Sequence, residues 1–294
     1  MGIPIHLTLV GVGQERADQA TAAAKIVFDI WDKRCSRFRD DSELAHLNRN
    51  AGKAVVVSQE LFDVIATCVQ LSQETNGVFD PSIGAYLAAA GYGLPAGYVL
   101  PKKVPTWQDI VLDPAKKTVR CAPGQVLEPA AIVKGLAIDQ AGEKIAALCE
   151  SWMINAGGDI LTHGPFGEQG TWNIAIQHPQ NAAAVATAIA VRDCSVATSG
   201  TYQTTWEWQG EFWQHQIEAQ TKKPTKGVKS LTVVASDATK ADTFASIGLL
   251  LGIEQGQKYL RERLVPYMYI DDQLQIHKNK LFEDLERPLY EIVG

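Results

Sequence analysis

Three sets of residues carry side chains whose types and spacing suit chemistry. Asp242 and Ser246 lie four positions apart in a segment of helical pattern, which sets a carboxylate and a hydroxyl on one face. Such a hard-oxygen pair suits magnesium, a cation that keeps few protein ligands and takes the rest from substrate phosphates. The same stretch, Thr239-Lys240-Ala241-Asp242, also fits a capping box with Asp242 as its acid, and spacing alone favours the cap. His215 stands between Gln214 and Gln216, just past Phe212 and Trp213. An imidazole titrates near neutrality and can serve as a general base, although a lone histidine is more often structural. Lys134 follows an Ala-rich helix start in Val126 to Asp139 (VLEPAAIVKGLAID), with Glu128 at its mouth. Glu128 alone reads as an acid matched to a helix dipole. Lys134 is the more pointed feature, because an acidic protein that binds an anion needs a local cation.

Two further segments bring backbone rather than side chains. Asn155-Ala156-Gly157-Gly158-Asp159 follows an apolar run, and its glycines can take positive φ. It reads either as a tight turn between strands or as a backbone able to close on a cofactor. Ala197-Thr198-Ser199-Gly200-Thr201-Tyr202 offers hydroxyls and amides to a phosphate, or is ordinary strand-end chemistry. Gly11-Val12-Gly13 lacks the third glycine of a dinucleotide-binding turn, since Arg16 stands there, and reads as a plain strand-to-helix turn.

The elements that position these residues follow from periodicity. Pro4 to Val10 alternates like a strand, and Gln14 to Arg37 carries a long helical pattern. Ser42-Glu43-Leu44 reads as a helix start, and Gln59 to Thr75 as an amphipathic helix stopped at Asn76-Gly77. Ile110 to Cys121 suggests a hairpin turning at Asp113-Pro114; Ala130 to Leu148 is a helix and Trp152 to Asn155 a short buried strand. Strands dominate from Trp172 to Val234, including Trp172 to Ile176, Thr187 to Val191 and Leu231 to Val234. Ala241 to Gly252 is helical, another helix runs to about Leu264, and Val265 to Ile276 suggests a closing strand pair. No βαβ period recurs, so the fold class is α+β. No linker, repeat or low-complexity tract marks a boundary, and residues 1–294 read as a single domain.

Composition bounds the partners. At 294 residues and 46% hydrophobic, the chain can bury a substantial core, and its net charge of −6 disfavours a nucleic-acid partner. Five scattered cysteines without a CxxC give neither a zinc ribbon nor a disulfide framework. No stretch approaches the roughly 20 apolar residues of a membrane span, and no basic leader precedes Ile3 to Val10.

Taken together and in order, these segments resemble the FAD:protein FMN transferase (ApbE) family over nearly the whole chain. The resemblance rests on Met1-Gly2-Ile3-Pro4, Ser36 through Leu44 to Asn48, Gly77-Val78-Phe79-Asp80-Pro81-Ser82-Ile83-Gly84 and Lys134-Gly135-Leu136-Ala137-Ile138-Asp139. Asn155 to Asp159, Ala197 to Gly200, His215 to Thr221 and Ala241 to Ser246 complete it. It implies an α+β, T-fold-related architecture of mixed and antiparallel sheets with flanking helices and a cofactor cleft. FAD would be the substrate, with Mg2+ on its pyrophosphate.

By the same resemblance Met1, Phe38, Val78, Phe79, Asp80, Glu128, Lys134 and Ile217 are expected to contact FAD. The carbonyl of Ala131, with Asp242 and Ser246, would hold the metal, and His215 would be the base. The implied reaction moves FMN from FAD to a threonine hydroxyl of an acceptor protein and releases AMP. Hydrolysis of FAD to FMN and AMP, or non-catalytic flavin carriage, are the alternatives. The chain departs from the family pattern at Ile217-Glu218-Ala219 and Thr221-Lys222, where Ile-Asp-Pro and Thr-Gly are usual. It departs again at Glu128, Ala130-Ala131, Thr201 and Ser246. Family members are often exported lipoproteins. A cytoplasmic location is expected for the sequence as it stands, and a periplasmic one if a leader was removed.

Overall fold

The computed structural model describes residues 2–92 and 101–288. Two compact units form from interleaved stretches of chain. One takes Asp29–Val133 and Thr204–Thr225; the other takes Gly2–Phe28, Lys134–Gln203 and the chain from Lys226 onward.

The second unit is built on a seven-stranded sheet. Its order is Ile5–Val10, Ser151–Ala156, Asp159–His163, Ser195–Gly200, Val228–Ala235, Tyr267–Asp271 and Ile276–Lys278, with every neighbour antiparallel. Period-two alternation gives this sheet two different faces. Val196, Val234, Met268 and Ile270 point to one side, where Trp172, Ile174 and Ile176 of a three-stranded sheet close the core. Ala197 and Ala235 point to the other side and meet Ala241 of the helix Ala238–Leu250. Small residues on this face let the helix lie close to the strands.

The first unit is mainly helical. Glu43–Arg49 is capped by Ser42, whose hydroxyl accepts from the Ala45 amide at 3.0 Å. Gln59–Glu74 is capped by Ser58 and stops where Asn76 and Gly77 take φ of 50° and 76°. A short sheet (Ala54–Val56, Thr118–Arg120, Val111–Asp113) and the hairpin Thr205–Trp208 with Glu211–Gln214 accompany them.

Helices and antiparallel sheets in this arrangement are the α+β class expected. The sequence-based strand and helix positions are met within a few residues, but Thr187 to Val191 proves to be the end of a longer strand, Asn181–Val191. The helix expected to open at Ala241 opens at Ala238. No helix among the described residues is long and apolar enough to cross a membrane.

Candidate active site

The helix Ala238–Leu250 is positioned from its first turn. Asp237 is its N-cap, accepting from the Lys240 amide at 2.8 Å. Asp139, on the helix Ala130–Ala146, accepts from the amides of Ala238 and Thr239 at 2.7 and 2.9 Å and from the Thr239 hydroxyl at 2.6 Å. These amides are the donors that a helix start leaves unsatisfied. The contact demands a glycine at 135. A Cβ there would stand 2.5 Å from Thr239 Cα and 2.6 Å from the Ala238 carbonyl oxygen.

This corrects the capping-box reading of Asp242. With Asp237 and Asp139 serving the helix start, Asp242 lies beyond the first turn, 4% exposed. Ser246 follows one turn later, also buried, with its hydroxyl 3.1 Å from that of Ser199. Lys134 Nζ lies 3.7 Å from Asp242 Oδ2 and 2.6 Å from Oδ2 of Asp159, which is 2% exposed. Asp159 is set by the turn before it. Ala156 pairs with Asp159 across Gly157 and Gly158, which take φ of 65° and 102°, and Asn155 Oδ1 accepts from the Gly158 amide at 2.9 Å. The segment is thus the tight turn between strands, and its last residue also carries a side chain into an ion cluster.

Electrostatics follow from burial. Desolvation raises the Asp242 carboxyl well above the usual range, the Asp159 charge adds to it, and Lys134 opposes both. Burial would lower the Lys134 ammonium, but the Asp242 and Asp159 carboxylates outweigh it and raise the net value. Two carboxylates thus face one ammonium, and a cation beside Asp242 would favour the ionised form that burial disfavours.

The donor set fits a small hard cation. Asp242 Oδ2 is buried without a hydrogen bond, and buried carboxylate oxygens are rarely left so. No group of three or more His, Cys, Asp or Glu among the described residues could hold a metal. The Asp242 carboxylate and the Ser246 hydroxyl are oxygen donors of the kind magnesium takes, rather than the nitrogen and sulfur donors zinc favours. Ala131 lies in the first turn of the helix that carries Lys134.

In the other unit, a different cluster surrounds Arg37. Its guanidinium, nearly fully buried, pairs with Glu128, donates to the Tyr92 carbonyl at 2.9 Å and covers the rings of Phe38 and Tyr92 at 4.5 and 4.6 Å. Phe38 meets Tyr92 edge-on, Tyr92 stacks on Trp206 at 4.6 Å, and Trp206 Nε1 donates to the Ala90 carbonyl at 2.7 Å. Phe38 itself is 62% exposed. Burial raises the Glu128 carboxyl, and Arg37 opposes that rise.

The loop Val78-Phe79-Asp80 is held from within. Asp80 Oδ1 accepts from the Ser82 amide at 2.7 Å and Oδ2 from the Trp107 amide at 3.1 Å, while Phe79 is buried. His215 follows the strand Glu211–Gln214, half-buried, with Nε2 3.2 Å from Gln216 Nε2. Ile217 is buried and pairs with Pro224. Met1 lies outside the described residues.

The structure therefore gathers Lys134, Asp242 and Ser246 in one unit. In the other it places Glu128 beside the aromatic cluster of Phe38. The sequence reading missed the side-chain roles of Asp159 and Arg37. Asp159 had a weak legible signal, the acid that ends its glycine turn. Arg37 had only its adjacency to Phe38.

The ApbE family model matches residues 1–269. An FAD:protein FMN transferase of Treponema pallidum is 31% identical over 274 residues, covering 84% of this chain and 76% of that protein. One from Klebsiella pneumoniae is 25% identical over 296 residues, covering 92% and 83%. The crystal structure of an ApbE protein of Thermotoga maritima shares the fold, with a TM-score of 0.83 at 22% identity, covering 97% of this chain and 96% of that one. The flavin transferase ApbE of Vibrio cholerae does so at 0.79 and 22%, with the same coverage.

Proposed function

The chain belongs to the ApbE family, and from that membership we propose that it transfers the FMN moiety of FAD to a threonine hydroxyl of an acceptor protein, with Mg2+ on the diphosphate. The observation that carries this reading is the buried Asp242 carboxylate, one oxygen of which lacks a hydrogen bond, beside Ser246 and Lys134. Asp242, Ser246 and the Ala131 carbonyl would hold the cation. Bound there, Mg2+ would neutralise phosphate oxygens and favour the charge that builds in the transition state.

The chain's own residues do the rest. His215 takes the proton of the threonine hydroxyl, whose oxygen bonds to the FMN-side phosphorus. The bond from that phosphorus to the bridging oxygen breaks, and AMP leaves with that oxygen. General-base help of this kind contributes about 10²–10⁴-fold. Lys134 offsets phosphate charge. Phe38 supplies a ring face; Val78, Phe79, Asp80, Glu128, Ile217 and Met1 complete the FAD contacts. In this reading residues 1–294 act as a single catalytic domain.

The test is incubation with FAD and magnesium, with and without a threonine-bearing acceptor. AMP released only with acceptor, together with an acceptor mass gain of one FMN, supports transfer. AMP without acceptor indicates hydrolysis, and no AMP indicates carriage; either overturns the proposal.

A further inference from the structure

Asp159 has no place in the reaction as set out above, yet it is among the most buried charges in its unit. Its carboxylate is 2.6 Å from Lys134 Nζ, whereas Asp242 is 3.7 Å from the same nitrogen. The ammonium thus lies nearer Asp159, and Asp242 Oδ2, like Asp159 Oδ2, is buried without a hydrogen bond. We infer that Asp159 is a positioning residue that holds the Lys134 ammonium off Asp242, and so keeps that carboxylate open to a divalent cation. The inference rests on the reading of Asp242 as a cation ligand.

Several features support a built arrangement. Asp159 is fixed on a strand by its pairing with Ala156 and by the Gly157-Gly158 turn. Its other oxygen, Oδ1, faces the Thr198 amide at 3.4 Å. Lys134 is tethered on its own side, because Gly135 and Asp139 dock its helix against the start of Ala238–Leu250. Nζ lies within ion-pair reach of both carboxylates. Without the Asp159 charge, the ammonium's one strong partner is Asp242, and a closed ion pair there would compete directly with a metal. Asp242 is itself buried, so an ion pair closed on it would compete with a metal for the same oxygen.

The probe is Mn2+, counted as the free ion by electron paramagnetic resonance against the full chain without FAD. Asp159→Asn should weaken Mn2+ binding about 10- to 100-fold, the range seen when groups that orient metal ligands are removed. Lys134→Met should bind at least as tightly as the wild type, because the competitor is gone. The double variant should return to within a few-fold of wild type, which a ligand role or a folding role for Asp159 would not allow. A crystal structure of Asp159→Asn should show Nζ hydrogen-bonded to Asp242.

Unchanged Mn2+ affinity in Asp159→Asn, weakened binding in Lys134→Met, a double variant as weak as Asp159→Asn, or an unmoved Nζ would each overturn the inference. Wild-type chain that binds no Mn2+, or binds it undiminished in Asp242→Ala, would instead fell the cation reading itself, and the inference with it. Thermal melts of the same samples keep unfolding from passing as lost affinity. If Asp159→Asn fails to fold, Lys134→Met alone still decides.

Discussion

Around Lys134 the chain gathers two buried carboxylates and a pair of hydroxyls; around Arg37 it gathers rings and a single carboxylate. In the first cluster one ammonium faces two carboxylates, and an oxygen of each is buried without a hydrogen bond. In the second a buried guanidinium is matched by Glu128 and by a carbonyl, and its flat face is covered by Phe38 and Tyr92. The first arrangement is electrostatically incomplete and suits a charged guest. The second pairs its one cation with one carboxylate and exposes a ring, which suits a flat guest.

The largest effect should come from the residue outside both clusters. His215→Ala is expected to lower transfer about 10²–10⁴-fold while FAD affinity, read by quenching of flavin fluorescence, holds. Next is the Arg37 cluster as a frame. Arg37→Met leaves Glu128 buried without its partner and should cost about 3–5 kcal/mol in urea unfolding. A much smaller loss would mean that the rings, and not the ion pair, hold this region.

Phe38→Ala tests the other half of the contrast. Because the ring is 62% exposed, stability should be nearly unchanged, while FAD binding weakens about tenfold, as loss of one stacking ring does. Equal FAD affinity would remove Phe38 from the site.

The smallest effect concerns the helix beneath the ion cluster. Burial raises the Asp237 carboxyl, but the side chain and amide of Lys240, with Ser236, together outweigh it and hold it below its ordinary 3.8. A depressed folded value contributes stability above the unfolded value, and this is lost as pH falls through the folded one. Asp237→Ala should therefore cost about 1 kcal/mol near about pH 7. The cost should shrink as pH falls below the ordinary carboxyl range and through the folded value, in the same unfolding assay.

These contrasts also explain what the sequence could show. Lys134, Asp242 and Ser246 were legible because helical spacing and collinear motifs mark them, and the α+β class followed from periodicity. The role of Asp242 in its helix was misread. Thr239 and Asp242 have capping-box spacing, but the true cap, Asp237, and the second acid, Asp139, lie outside that window. Asp139 stands 100 positions from Thr239, and no local rule reports a partner so distant. Asp159 was seen as the end of a glycine turn, since spacing tells where a backbone bends and not where a side chain lands. Arg37, Tyr92 and Trp206 meet through tertiary packing alone.

The central claim is that a magnesium ion held by Asp242 makes the FAD diphosphate reactive. Its most direct test is FMN transfer to acceptor protein, measured across a magnesium titration for wild type and Asp242→Asn. The account predicts transfer that stops with chelator, returns with magnesium, and needs far more magnesium in the variant. Transfer that survives chelation, or a variant with the magnesium dependence of the wild type, would contradict it.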